Sequence, residues 1–411
     1  MVRLSRRHFL RNSLAAAALA GCGAASVRDG DGSPITPGDP DAGPPDGGPD
    51  AFVETCDDPL AGGELLGLVP LVDNGSPNFS FMYGEGLDAR QMFDLSTVRP
   101  DNLITAVPDY YVRTSTPDGL PAASTWTVRI HGMVEAAVDI PLADLLDRAR
   151  DRGPHVMECS GNSTGASFGL MSAARWRGVP VGEILDRARP LPAAARIRFS
   201  GYDRHDGPSE TSFAGCDWIF SRAQLEEAGA FLATHQNGDP LTLEHGAPVR
   251  LYVPGWYGCT CVKWLNEIEF LPDDVAPTFH MLEFAKRTMQ DGEPEHARDW
   301  KPAVIDQAAI PVRVERWRVG GRVRYLVAGI LWGGERPTDK LDVRFGEGDA
   351  WRRVEVCPSM KGNATWTPWA YLWDPPGAGT YEIRCRIDDT SIRQRRLDIG
   401  YYARRVKITA E

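Results

Sequence analysis

A chain of 411 residues is long enough for two domains, each with a core of its own. Its 42% hydrophobic and 25% charged residues are ordinary for a soluble globular protein. A net charge of −11 argues against a nucleic-acid partner, which needs a concentrated basic face, although a single pocket can still be locally basic.

The chain opens on an address. Ser5-Arg6-Arg7-His8-Phe9-Leu10 is a twin-arginine pattern, and the small, apolar run from Ser13 to Ala20 behind it is too short for a membrane span of about 20 residues. Leu19-Ala20-Gly21-Cys22 resembles a bacterial lipoprotein box. Residues 1–22 are read as an export signal, with Cys22 the lipidated first residue of the mature chain; the competing reading is a twin-arginine signal cut by an ordinary peptidase. The expected location is the periplasm or outer cell envelope. Twin-arginine export moves folded proteins, commonly because a complex cofactor is inserted beforehand, so the signal favours a cofactor enzyme. Residues 23–58 are a Gly, Pro and Asp tract that buries too little apolar surface to fold, and they read as a disordered tether.

From Leu65 to Val72 an apolar run starts the folded part. Trp126 to Met133 alternates as a strand, and Pro141 to Arg150 reads as a helix with Pro141 in its first turn and Leu142, Leu145 and Leu146 on one face. Val181 to Ala188 is a second amphipathic helix, and Arg196 to Ser200 a strand ending at Gly201-Tyr202-Asp203. Gln224 to Thr234 is helical or mixed, while Pro248 to Val253 and Cys261 to Phe270 are strands around the break Pro254-Gly255-Trp256-Tyr257-Gly258. Strands and helices interleave without a regular βαβ rhythm, which predicts an α+β domain over 59–272. Residues 272 to about 310 form a polar connection. Beyond it, strand-like runs at Val312–Val319, Arg322–Leu331, Leu341–Phe345, Trp351–Val356, Tyr381–Ile387 and Tyr402–Thr409, with turn signals at Gly320-Gly321 and Gly333-Gly334, predict an all-β immunoglobulin-like sandwich over 273–411. Within it, Trp351, Trp366, Trp369 and Trp373 are divided between core and a subunit contact, with Trp351 assigned to the core. Cys357 and Cys385 both lie in strand-like runs and are candidates for a disulfide; no Cys-x-x-Cys-His occurs, so no covalent c-type haem is carried.

Chemistry concentrates in three segments. The first is Tyr110-Tyr111-Val112-Arg113-Thr114. The second is Glu158-Cys159-Ser160-Gly161-Asn162, followed by Arg175-Trp176-Arg177-Gly178-Val179-Pro180. The third runs from Glu244-His245-Gly246-Ala247-Pro248-Val249-Arg250 to Val262-Lys263-Trp264. Valine and methionine at 156 and 157 lead into small residues, so Cys159 is expected to present its thiol at a strand end.

Together, and in this order, the three segments resemble the sulfite oxidase family of molybdopterin enzymes, over roughly residues 60–411. The resemblance implies a sulfite-oxidase-type molybdopterin-binding domain, a C-terminal dimerisation domain and hence a homodimer. It implies a molybdenum–molybdopterin cofactor, with Cys159 as the protein's ligand to the metal. Arg113, Thr114, Asp203, His245, Arg250 and Lys263 would bind the cofactor, as would the backbone at Cys261 and Val262, and Arg113 doubles as a substrate-pocket cation. The chemistry is compatible: molybdenum takes soft thiolate ligands, and a phosphate-bearing cofactor needs cations and backbone donors. The implied reaction is oxygen-atom transfer on a small oxyanion such as sulfite, with electrons leaving to a separate carrier, a cytochrome.

Two positions depart from the family pattern. The arginine that sulfite-oxidising members carry soon after Cys-x-Gly-Asn is replaced by Ser163 and Thr164, and Thr234 stands where a Leu-Ala-Tyr phenol is common. His235 and Tyr257 are candidate substitutes for that phenol. The losses leave open a sulfoxide reductase on the same scaffold. From other classes come a cofactor-free surface lipoprotein and a cysteine hydrolase pairing Cys159 with His155, four residues away.

Overall fold

In a computed structural model of the chain, the described residues are 60–72, 79, 81–207, 209, 212–334, 336–354, 356, 364–394 and 402–410. The expected export signal at 1–22, the whole of the expected tether at 23–58 and the expected lipidation site Cys22 lie outside them, as does Cys357. The described residues fall within one unit, Val53–Glu411. Among them, no helix is long and apolar enough to cross a membrane.

Two five-stranded sheets build the first part. One is antiparallel and runs Asp239–Pro240, Phe231–Gln236, Met171–Pro180, Arg150–Glu158, with Arg250–Tyr252 also paired to Phe231–Gln236. The other runs Val138–Pro141, Thr127–Gly132, Leu265–Leu271, Arg196–Gly201, Asp217–Phe220, and its central pair, Leu265–Leu271 with Thr127–Gly132, is parallel. Helices are few and short: Leu142–Arg148, Val181–Leu185, Arg222–Glu227 and Phe279–Phe284. The third of them is started by a capping box, with Gln224 N donating to Ser221 Oγ (3.1 Å) and Ser221 N to Gln224 Oε1 (2.8 Å). The stretch Gln224–Thr234, expected to be helical or mixed, is mixed: the helix begins earlier and ends at Glu227, and the apolar residues after it form the strand Phe231–Gln236. Leu146, expected on the inner face of its helix, is 41% exposed, and only Leu145 is fully buried there.

The C-terminal part holds two four-stranded antiparallel sheets. One orders Glu64–Val69, Ala308–Val319, Arg322–Trp332, Thr367–Trp373; the other orders Arg352–Arg353, Leu341–Arg344, Gly379–Ile387, Arg404–Ile408. The long hairpin between Ala308–Val319 and Arg322–Trp332 turns on Gly320-Gly321, both at positive φ (57° and 79°), the conformation that a two-residue hairpin loop needs and glycine supplies without strain. Glu64–Val69, from the start of the described chain, pairs with Ala308–Val319, so the boundary drawn at 272 leaves one N-terminal strand in a C-terminal sheet.

Trp366, Trp369 and Trp373 are buried, but Trp351 is only half-buried and lies between the guanidinium groups of Arg344 and Arg386, 4.6 and 4.7 Å from its ring centre. Its assignment to the core is corrected to a cation–π site. Cys385 is a buried free thiol opposite Val343, and its candidate partner Cys357 lies outside the described residues.

Candidate active site

The thiol is put in place by a strand that stops. Pairing between Arg150–Glu158 and Met171–Pro180 ends at Glu158 opposite Met171, and small residues follow. Cys159 N donates to Leu170 O, and Asn162 N to Cys159 O, both at 2.9 Å, closing a tight turn. Gly161 N points at Cys159 Sγ from 3.4 Å. Buried Asn162 braces the turn: its Oδ1 accepts from Leu170 N (3.1 Å) and its Nδ2 donates to Glu158 Oε1 (3.3 Å). Glu158, fully buried, accepts from Trp332 Nε1 (2.9 Å) and from the Tyr402 hydroxyl (3.3 Å). Two side chains of the C-terminal part thus hold the residue that precedes the thiol.

Cys159 opens on a cleft. Arg113, Thr114, Asp203, His245, Arg250, Cys261 and Lys263 also line it, so eight of the nine residues expected from sequence converge on one space. Val262 does not: it is wholly buried, and its carbonyl accepts from Leu251 N at 2.9 Å. The Cys261 carbonyl is engaged as well, by Arg250 Nη2 at 2.9 Å. Asp203 pairs with His205 Nδ1, and that bond raises the imidazole's pKa. Thr114 adopts φ 74°, a left-handed conformation that costs a β-branched residue about 1–3 kcal/mol and that recurs at functional sites. Its carbonyl accepts from Lys263 Nζ (2.6 Å) and its hydroxyl from Arg113 Nη1 (3.2 Å).

The cations set the electrostatics. Arg250, 4% exposed, donates from Nη1 to His245 O (3.0 Å) and from Nη2 to Cys261 O, while its Nε is buried with no partner. Lys263 Nζ donates to the carbonyls of Thr114 and Glu244 and lies 4.3 Å from the Trp264 ring centre. Among the described residues, neither cation forms an ion pair. Burial, then Arg250, pulls the Lys263 ammonium down to about 7. Burial, then Lys263 and Arg250, pulls His245 down to about 3, so its imidazole is neutral: Nε2–H donates to Tyr110 O (3.3 Å) and Nδ1 accepts from the Thr242 hydroxyl (2.8 Å).

Several lining residues were missed in the sequence reading: Tyr110 and Tyr111 as phenols, Met157, Cys259, and His280 and Phe284 from the connection after 272. The Tyr111 hydroxyl lies so close to Gly258 that a Cβ there would sit 2.7 Å from it, which is why this wall must be bare backbone. His280 donates from Nε2 to Cys259 O (3.1 Å) and leaves Nδ1 buried without a partner. The proposed substitutes for a lost phenol do not line the cleft. Thr234 is buried and bonds His235 Nδ1 (2.9 Å), His235 sits in a strand beside Pro240, and Tyr257 is enclosed in the core. His155 meets Arg152 O at 2.8 Å and packs against Tyr252, which sets aside a Cys159–His155 dyad.

These residues fit a sulfur-ligated cofactor with a phosphate tail. A buried guanidinium and a depressed ammonium that form no ion pair among the described residues are stabilised by an anion. The orphaned Arg250 Nε, Tyr110 hydroxyl and His280 Nδ1 offer unused hydrogen bonds around the same cleft. Among the described residues no three His, Cys, Asp or Glu converge as a metal cage, so a metal here rests on Cys159 and on donors that come with its own organic ligand.

Residues 114–279 match the family described as Oxidoreductase molybdopterin binding domain. The chain is 28% identical over 313 residues to "Nitrate reductase [NADPH]" of Beauveria bassiana, covering 70% of this chain and 33% of that protein. It is 27% identical over 324 residues to mitochondrial sulfite oxidase of Macaca fascicularis, covering 70% and 57%. It therefore spans only part of these relatives. Among solved structures, the sulfane dehydrogenase SoxCD of Paracoccus pantotrophus shares the fold, with a TM-score of 0.58 at 17% identity over 90% of this chain and 97% of that one. The thiol turn, the cations without ion pairs and this kinship meet in one cleft: residues 114–279 carry a molybdopterin-binding oxidoreductase domain similar to that of the sulfite oxidases, a domain that takes a molybdenum–molybdopterin cofactor.

Proposed function

We propose that the protein oxidises a small sulfur oxyanion, sulfite or a close relative, to the product bearing one more oxygen. For sulfite, the balance is sulfite plus water giving sulfate, two protons and two electrons. The observation that carries this reading is the joint presence of the Cys159 thiol and the cations Arg113, Arg250 and Lys263 around one cleft. When bound, the molybdenum cofactor supplies the exchangeable oxygen and accepts the two electrons.

The chain's own part is binding and placement. Cys159 holds the metal, its turn fixed by Asn162 and Glu158. Arg250 and Lys263 hold the anionic tail of the cofactor, with neutral His245 as a hydrogen-bonding neighbour. Arg113, its Nη1 tied to Leu87 O and to Thr114 Oγ1, turns a fixed cation toward the substrate. We further propose that the signal at 1–22 exports the protein to the periplasm or outer envelope, where Cys22 anchors it by lipid. The two C-terminal sheets would form an immunoglobulin-like sandwich that pairs two copies, and a separate cytochrome would take the electrons.

The test is production in a host that makes the cofactor. About one molybdenum per chain, loss of the metal's normal spectroscopic signature in Cys159→Ser, and sulfite-dependent reduction of an added cytochrome are the expected results. Reduction of sulfoxides by an added donor, with no oxidation of sulfite or related oxyanions, would reassign the protein to the reductase reading that Ser163, Thr164 and Thr234 leave open.

A further inference from the structure

The helix Phe279–Phe284 is followed by a turn that carries a cation outside the family match, which ends at residue 279. Thr288 N donates to Phe284 O and Gln290 N to Ala285 O, both at 2.9 Å, and the Thr288 hydroxyl bonds the Phe284 and Ala285 carbonyls at 3.0 and 3.2 Å. This fixes half-buried Arg287 with its guanidinium 5.2 Å from the ring centre of Phe284, a residue of the cleft wall. On the thiol turn, a Cβ placed on Gly161 would lie 3.6 Å from Arg287 Nη1 and 3.7 Å from Cys159 Sγ, so the guanidinium and the sulfur face the same small space.

Among the described residues Arg287 has no carboxyl partner, and Glu283 on the same segment accepts instead from the Ser212 hydroxyl (2.7 Å) and Phe213 N (3.3 Å). Arg287 also bears on Arg113, whose pKa is lowered first by burial and then by Arg90 and Arg287, with Cys159 acting the other way. Ser163 and Thr164, next after the thiol turn, bring no charge.

We propose that Arg287 is the second cation of the substrate site: with Arg113 it holds a small oxyanion in the space bounded by Gly161 and Cys159, and so selects a charged substrate over a neutral sulfoxide. The inference rests on the oxyanion reading above and names the residue that makes the choice. A planar guanidinium suits a planar or pyramidal oxyanion because two N–H groups can address two oxygens together.

The experiment uses cofactor-loaded protein, with Arg287→Met and Arg287→Lys checked for unchanged molybdenum content and melting temperature. Sulfate binding is measured by calorimetry, and KM and kcat are measured for sulfite. Loss of one charge-assisted contact is expected to weaken sulfate about ten- to hundredfold in Arg287→Met and to raise the sulfite KM similarly, with little change in kcat. Arg287→Lys recovers part of both. Wild-type protein that does not bind sulfate, or Arg287→Met that binds it as wild type does, overturns the inference. Sulfate binding that depends on Arg287 in a protein that does not oxidise sulfite leaves Arg287 in place and removes the sulfite reading instead.

Discussion

Lys263 shows what one buried residue imposes on the cofactor-free protein. Its pKa is about 7 in the fold against 10.5 for an ordinary lysine, so between those values the unfolded chain holds the extra proton. The burial penalty is therefore fully felt below pH 7 and relieved as pH rises through it. His245, lowered to about 3, adds the same sign at lower pH. Melts of cofactor-free protein from about pH 6 to about pH 9 should show a rising melting temperature that flattens in Lys263→Met. A flat wild-type profile would mean that the ammonium is already compensated. A bound phosphate would raise the Lys263 pKa again, so cofactor binding near neutral pH should take up a proton. At this scale the sequence was legible through the resemblance carried by the three segments, which names Cys159, Arg250 and Lys263, and the fold gathers these residues around one cleft. It was illegible for Tyr110 and Phe284, since an aromatic residue beside a cofactor and one in a core read alike until the fold places them.

At the scale of elements, the strand Arg150–Glu158 does more than end at the right place. Its last residue is tied to Trp332, at the end of the strand Arg322–Trp332, so a sheet remote in sequence steadies the thiol turn. Trp332→Phe keeps most of the buried ring but removes the donor to Glu158, and should cost about 1–3 kcal/mol in urea unfolding. Glu158→Gln should retain part of that loss as a neutral acceptor; equal stability of both variants with wild type would show the contact to be idle. The helix Phe279–Phe284 was illegible because six residues give no helical period, and they lie within a longer polar run, 272 to about 310, that reads as connection. Its Thr278 cap, whose hydroxyl accepts from Met281 N at 3.2 Å, was the available signal. Likewise Met171–Pro180, buried over most of both faces, lacks the alternation that marks a strand, whereas Arg196–Gly201 keeps it and was found.

At the scale of the molecule, division into two independent halves is not what the contacts favour. Glu64–Val69 joins a C-terminal sheet, Val72 N donates to Arg405 O (2.8 Å), and Val156 N to Ala364 O (2.7 Å). A fragment ending at residue 272 should therefore lose cooperative melting and expose apolar surface to dye; a sharp melt with near-ultraviolet dichroism would show that the first part stands alone. For the proposed anchor, Cys22→Ala should move the protein from the membrane fraction to the soluble periplasmic one, and lysine at Arg6 and Arg7 should trap it in the cytoplasm. The general architecture was legible from turn glycines and strand runs, but the exchange of one N-terminal strand was not, because nothing local in Glu64–Val69 says which sheet it will join. One further consequence follows from the thiols. Cys159, Cys216, Cys259 and Cys261 are all unpaired around one cleft. A nascent chain meeting an oxidant before it closed would have wrong bridges available in the very place the cofactor must enter. For the proposed export, such a cleft would constrain biosynthesis as well as catalysis: insertion and closure would have to come first, in a reducing milieu, and exposure to oxidant only afterwards.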